Sequence, residues 1–290
     1  MKYADISEAE CAIAQALGVI GDWWTLLVVR DVAGGIHRFD GLQLELGISR
    51  KVLTERLKVL IEHDVLERRR YTDHPPRHEY HLTDKGKGLV PVLVALQDWG
   101  TRHVLGDGSL TATSTPASVE ARRVHGLVGQ RVVVDSLTGH DGGPLDPVGG
   151  TPWTVLFCFA GVDVPGGESY PPGWIDIPGA TGCTLGSITY RERYEDFVSA
   201  GATVRGVSTQ RPDQLAGFAA HASLPFMLLS DTDLALTASL RLPTFRAAGV
   251  DRLKRLTLVI DHTREIRGVL FPVTDPAASV EDALDLLRGA

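Results

Sequence analysis

Ser49-Arg-Lys-Val-Leu-Thr-Glu-Arg-Leu-Lys-Val-Leu-Ile-Glu62, followed by Leu66-Glu-Arg-Arg-Arg-Tyr-Thr72 and His78-Glu-Tyr-His-Leu82, reads as one helix and a short basic hairpin. Ser49 is placed to cap the helix, and Val52, Leu53, Leu57, Leu60 and Ile61 recur at helical spacing on one face. Arg50, Lys51, Thr54, Arg56 and Lys58 are then expected to point away from the core, as donors. The hairpin turns at Asp73-His74-Pro75-Pro76 and carries Arg68, Arg69, Arg70 and Arg77. A major groove admits a helix, and the phosphates beside it attract a basic wing, so the stretch suits a module that reads double-stranded DNA.

Working outward, Ser7 and Glu10 form a possible capping box for a first helix with Cys11, Ile13, Ala14, Leu17 and Ile20. Asp22 is placed to cap a second helix ending at Gly34-Gly35, and a third runs from about residue 39 to 46 before Gly47 provides the turn. Residues 84 to about 105 read as a further helix with Leu89, Val92, Leu93, Leu96 and Trp99 on one side, a face that suits a dimer contact. Residues 106–118 are rich in Gly, Ser, Thr and Ala and are expected to be a linker between a domain at 1–105 and another at 119–290.

The second half changes character. Strand-like runs at 154–160, 203–208, 226–230 and 256–261 alternate with helical runs at 185–199, 212–222, 234–240 and 280–287. That alternation predicts an α/β domain with a partly parallel sheet, with 131–137 as a leading strand and 265–271 as the return of a hairpin.

A chain of 290 residues, 43% hydrophobic and 22% charged, is long enough for two domains with separate cores. No apolar run approaches the roughly 20 residues needed to span a bilayer, and the Met-Lys-Tyr-Ala-Asp start lacks the order of a signal peptide. The expectation is a cytoplasmic protein with no membrane partner. Its net charge of −7 disfavours indiscriminate binding to polyanions, so DNA contact must come from the local arginine cluster. Three cysteines, Cys11, Cys158 and Cys183, are too few for a disulfide scaffold, and no Cys/His group has zinc spacing. Neither a metal nor a cofactor is expected.

Cys11-Ala-Ile-Ala-Gln-Ala-Leu, Gly21-Asp-Trp-Trp-Thr-Leu-Leu, Arg38-Phe-Asp-Gly-Leu, Ile48-Ser-Arg-Lys-Val-Leu-Thr-Glu-Arg-Leu and Tyr80-His-Leu-Thr-Asp-Lys-Gly occur in that order. Together, over about residues 8 to 104, they resemble the HxlR family of winged helix-turn-helix transcription regulators. The resemblance implies an α+β DNA-binding domain that acts as a homodimer on a pseudo-palindromic operator. The helix from Ser49 would lie in the major groove and the arginine hairpin on phosphate or minor groove. It also marks Cys11 as a redox-sensing candidate, since thiol-responsive members carry a cysteine at the matching place.

Pro178-Gly-Ala-Thr-Gly-Cys-Thr184 sits between a strand-like and a helical run, so Cys183 would open a helix, where the positive end of the dipole favours a nucleophilic thiolate. With Gly206-Val-Ser-Thr-Gln, Leu224-Pro-Phe-Met-Leu-Leu-Ser-Asp and Arg255-Leu-Thr-Leu-Val-Ile-Asp, the segment from about 124 to 287 looks like a peroxiredoxin, the redoxin branch of the thioredoxin fold. The resemblance implies that Cys183 attacks peroxide, that Arg255 holds the thiolate and leaving oxygen, and that Thr181 supplies a hydrogen bond. Two departures stand out. Ala180 occupies the usual Thr/Ser position three residues before the cysteine, and Ile188 replaces the resolving cysteine of the related branch. Oxidised Cys183 would then await an external thiol reductant, Cys11, or overoxidation.

The expectation is a DNA-binding regulator whose second domain senses or removes peroxide. Its rivals are a one-cysteine thiol peroxidase with an accessory DNA-binding domain, and an inactive redoxin fold used for ligand binding or dimerisation.

Overall fold

The computed structural model describes residues 10–73, 76–163 and 170–289. Ser7 of the expected capping box and the His74-Pro75 turn lie outside the described residues. The chain divides into two compact units, 1–93 and 94–290.

The first unit contains α1 (Ala12–Ile20), α2 (Trp23–Ala33), α3 (Phe39–Leu46) and α4 (Arg50–Glu62), then the hairpin β1 (Leu66–Asp73) and β2 (Pro76–Leu82) and the single turn α5 (Asp84–Lys87). The starts of α2 and α4 follow from a local donor–acceptor match. The Asp22 carboxylate accepts from the Trp24 amide at 2.9 Å, and the Ser49 hydroxyl accepts from the Val52 amide at 3.3 Å. Cys11 takes the N-cap place of α1, without a side-chain cap bond. Val28, Val29, Leu42, Leu53, Leu57 and Leu60 form the core, so the helical spacing seen in α4 is the spacing of its buried face. Gly86 lies so close to the Val65 carbonyl that an added Cβ would sit 2.1 Å from its oxygen, which seats α5 against the start of the hairpin.

The expected helix over 84–105 is interrupted: α5 ends at Lys87 and α6 runs from Val90 to His103. Val92, Leu96 and Trp99 of α6 are about half exposed, as an apolar face awaiting a partner would be.

Residues 94–290 hold α7 (Val119–His125), β3 (Leu137–Gly139), β4 (Pro144–Leu145), β5 (Trp153–Cys158), α8 (Cys183–Glu192), α9 (Tyr194–Ser199), β6 (Ala202–Ser208), α10 (Pro212–His221) and β7 (Met227–Ser230). They continue with α11 (Ala235–Ser239), β8 (Thr244–Ala247), β9 (Val250–Leu253), β10 (Leu256–Asp261), β11 (Ile266–Leu270) and α12 (Ala278–Gly289). Seven strands form one sheet in the order β11-β10-β5-β6-β7-β3-β4. The central β5, β6 and β7 are parallel and their neighbours antiparallel, the mixed α/β sheet that the alternation predicts.

Side chains alternate across β5. Val155 and Phe157 join a core with residues of α8, α10 and α12, whereas Leu156 and Cys158 join the opposite core with α7 and α11. Asp231 is buried at the start of α11, accepting from the Leu236 and Thr237 amides and the Thr237 hydroxyl, and burial pushes its carboxyl up to about 6.

Two further expectations differ from the structure. The leading strand expected over 131–137 begins only at Leu137, as β3; residues 131–136 form no strand beyond one bridge, Arg131 to Glu265, because the Arg264 guanidinium donates to the Val132 carbonyl at 2.8 Å and to that of Val134. A side chain thus takes the acceptors a neighbouring strand would use. The expected linker, 106–118, is packed onto the second unit: Ala112 is buried and its amide donates to the Pro178 carbonyl at 2.8 Å.

Candidate thiol site and nucleic-acid interface

Gly182 precedes α8 with φ of +101°, and a Cβ there would lie 2.7 Å from Pro276, so glycine alone fits this turn. The turn delivers Cys183 to the first position of α8, buried on the helix face that also carries Gly186, Ser187 and Tyr190. Its sulfur lies 3.8 Å from the Ala180 carbonyl and 3.9 Å from Arg255 Nη1. The same Nη1 donates to the Thr181 carbonyl at 2.6 Å, while Arg255 Nε is buried without a partner. A guanidinium and a helix N-terminus therefore both lie beside one buried thiol. Beside the thiol is a cavity of about 20 Å³, room for roughly one water-sized group. Ser187, whose hydroxyl has no partner, lines it together with Tyr190 and Thr257, which share a 3.0 Å hydrogen bond.

The structure brings Cys183 and Arg255 together and corrects Thr181. Thr181 is exposed and contributes its main-chain carbonyl to Arg255, with no hydrogen bond from its hydroxyl to the thiol. Ile188 stands at the resolving position, and Cys158 packs on the other side of the sheet, where burial pushes its thiol up. Cys11 is exposed.

Sequence reading missed two groups around the thiol. Arg252, on β9, lies over the Trp174 ring at 4.9 Å and donates to the Ala160 carbonyl at 3.2 Å. Tyr170 stacks on Trp174 at 5.0 Å, and burial, followed by the charge of Cys183, pushes its phenol up to about 12. Burial lowers Arg252, opposed by the charges of Tyr170 and Cys183. The only signal was the spacing of Arg252 and Arg255 before β10. Trp174 is buried in the same core as Cys183 but does not line the cavity beside the thiol.

In the first unit, Ser49, Arg50, Lys51 and Thr54 are exposed along the first turns of α4. Arg50 lies 3.2 Å from Asp40 and stacks over Phe39, and the Thr54 hydroxyl donates to the Arg50 carbonyl at 2.7 Å. Arg56 departs from the expected outward direction. It is only partly exposed and reaches back to Asp22 at 3.3 Å, because its position borders Leu53, Leu57 and Leu60 and the α2 N-terminus offers a carboxylate. Arg68, Arg69, Arg70 and Arg77 are exposed on the hairpin, with Arg69 held by Glu67. Among the described residues no single helix is long and apolar enough to cross a membrane.

Two family models match separate parts of the chain. Residues 19–106 match the model of the HxlR-like helix-turn-helix family, and residues 177–269 match that of the AhpC/TSA family. An uncharacterized HTH-type transcriptional regulator of Mycobacterium tuberculosis is 39% identical over 93 residues, 32% of this chain and 59% of the relative. The chain therefore spans less than two thirds of that relative's length. The uncharacterized HTH-type transcriptional regulator YvaP of Bacillus subtilis is 36% identical over 91 residues, 31% of this chain and 84% of the relative. Among solved structures, peroxidoxin BcpB from Mycobacterium tuberculosis aligns with 56% of this chain and 96% of its own, at 24% identity and a TM-score of 0.45.

Proposed function

Because the chain belongs to the HxlR-type helix-turn-helix transcription regulators and carries a peroxiredoxin-like AhpC/TSA domain, we propose that it is a dimeric, peroxide-responsive regulator with Cys183 as its sensor. The observation that carries this reading is the placement of Arg255 Nη1, 3.9 Å from the Cys183 sulfur and anchored on the Thr181 carbonyl. In the step so prepared, the thiolate sulfur attacks one peroxide oxygen, the O–O bond breaks, and the departing hydroxide takes a proton to become water. Sulfur is oxidised to the sulfenic acid and peroxide is reduced. With Ile188 at the resolving place and Cys158 across the sheet, no local disulfide follows. The oxidised state then lasts until an external thiol reduces it, which suits a signal better than rapid turnover.

DNA reading falls to the exposed start of α4, Ser49, Arg50, Lys51 and Thr54, with the arginines of the hairpin on phosphate. Arg56 supports this surface through Asp22. Ile13 and Leu17, 72% and 52% exposed on α1, are natural elements of a homodimer contact, next to the exposed Cys11.

The test is operator affinity, on a duplex selected from random sequence, for wild type and Cys183→Ser before and after one equivalent of hydrogen peroxide. Oxidation should change wild-type affinity by about 5- to 150-fold and leave Cys183→Ser unchanged. Equal affinities of reduced and oxidised wild type would remove the sensor and leave a peroxidase or an inert fold. A response that survives in Cys183→Ser would transfer sensing to Cys11.

A further inference from the structure

The second unit holds a cleft of about 520 Å³ that does not include the thiol site. Its size falls within the range of about 300 to 1,000 Å³ usual for small-molecule pockets. At its base lies a buried ion pair, Lys254 Nζ to Glu120 Oε2 at 2.8 Å, and Lys254 is the sole lysine in residues 94–290. An ammonium taken out of water is costly unless paired, so this charge needs Glu120 to stay where it is.

The wall of the cleft is α6, which presents Asp98 and Arg102 one helical turn apart. Opposite charges at this spacing, with Cβ atoms about 6 Å apart, ordinarily pair with each other. Here they do not. Arg102 Nε donates instead to the Gly108 carbonyl at 2.6 Å, and its terminal amino groups have no hydrogen-bond partner among the described residues. The half-buried Asp98 carboxylate accepts no side-chain hydrogen bond among them either. Burial pushes Asp98 up, Lys254 and Arg102 oppose that, and Asp251 and Glu120 add to it. A carboxylate without a hydrogen bond and a guanidinium whose terminal amino groups are free of one thus both line the same space. Thr113 lines this space with a buried, unpartnered hydroxyl, while Leu105 and Leu110 supply apolar surface.

We propose that this cleft binds a free α-amino acid with an apolar side chain, its ammonium on Asp98, its carboxylate on Arg102 and its side chain against Leu105 and Leu110. Only a ligand carrying both charges on neighbouring atoms answers both groups. A simple amine would leave Arg102 unmatched and meet its repulsion, and a simple carboxylate would be repelled by Asp98.

Calorimetric titration of the full chain with leucine, isoleucine, valine, methionine and phenylalanine tests this, with their N-acetyl and amide derivatives as partners in the comparison. At least one free amino acid should bind with Kd below about 1 mM, and both of its derivatives should bind at least about tenfold more weakly. Asp98→Asn removes no internal hydrogen bond, so it should fold normally, alkylate at Cys183 as wild type does, and lose at least about tenfold in affinity. Absence of binding at that level by all five, equal binding of an N-acetyl derivative, or undiminished binding by Asp98→Asn would each overturn the assignment.

Discussion

Arg255 uses one amino group for two contacts, the Thr181 carbonyl and the Cys183 sulfur, and this fixes its charge beside the sulfur that, in the proposed step, attacks peroxide while the departing oxygen gains electron density. A donor held in place beforehand needs no reorganisation during the reaction, which is why losing one such group commonly slows a step by about 10²- to 10³-fold. We expect Arg255→Gln to slow oxidation of Cys183 by hydrogen peroxide on that scale, followed by stopped-flow tryptophan fluorescence. A rate within threefold of wild type would separate the guanidinium from the chemistry. Cys183 and Arg255 were legible in the sequence because their motifs are local. Thr181 and Arg56 were legible in position and wrong in direction, since an exposed hydroxyl and a guanidinium turned to Asp22 depend on neighbours distant in the chain. Arg252 and Tyr170 were not legible at all, being brought near the thiol by tertiary packing around Trp174.

The hairpin β1–β2 distributes its arginines unevenly. Alternation places Arg69 on the same face as Glu67, which binds it, while Arg68 and Arg70 fall on the other face. Each cation that displaces a condensed counterion from DNA steepens the salt dependence by about one unit. A plot of log affinity against log potassium chloride should therefore flatten by about two units in the double variant Arg68→Ala, Arg70→Ala, and by less in Arg69→Ala. An unaltered slope in the double variant would take the hairpin off the phosphates. Most helices and strands follow periodicity and caps, and their limits lie close to the expected ones. The pair β8–β9 was missed although Ala248 and Gly249, with φ of 48° and 78°, make the positive-φ turn of a tight hairpin. Alanine is a poor herald of that conformation, and the flanking strands are only four residues each.

Charge is not shared evenly along the chain. Of the seven excess negative charges, six lie in residues 94–290 and one in residues 1–93, so the DNA-reading unit is close to neutral and its arginine cluster is not drowned by acid. Lysine is divided more sharply still. Five lysines lie in residues 1–93, with Lys85 and Lys87 exposed at α5, whereas Lys254 is 4% exposed and held by Glu120. To a lysine-specific protease acting on the native protein, the peroxiredoxin-like body therefore has no cleavable bond. Brief digestion should end at a resistant fragment beginning at Gly88 and running to the C-terminus, identified by intact mass, and an early cut after Lys254 would show that the cleft opens far more readily than its buried ion pair implies.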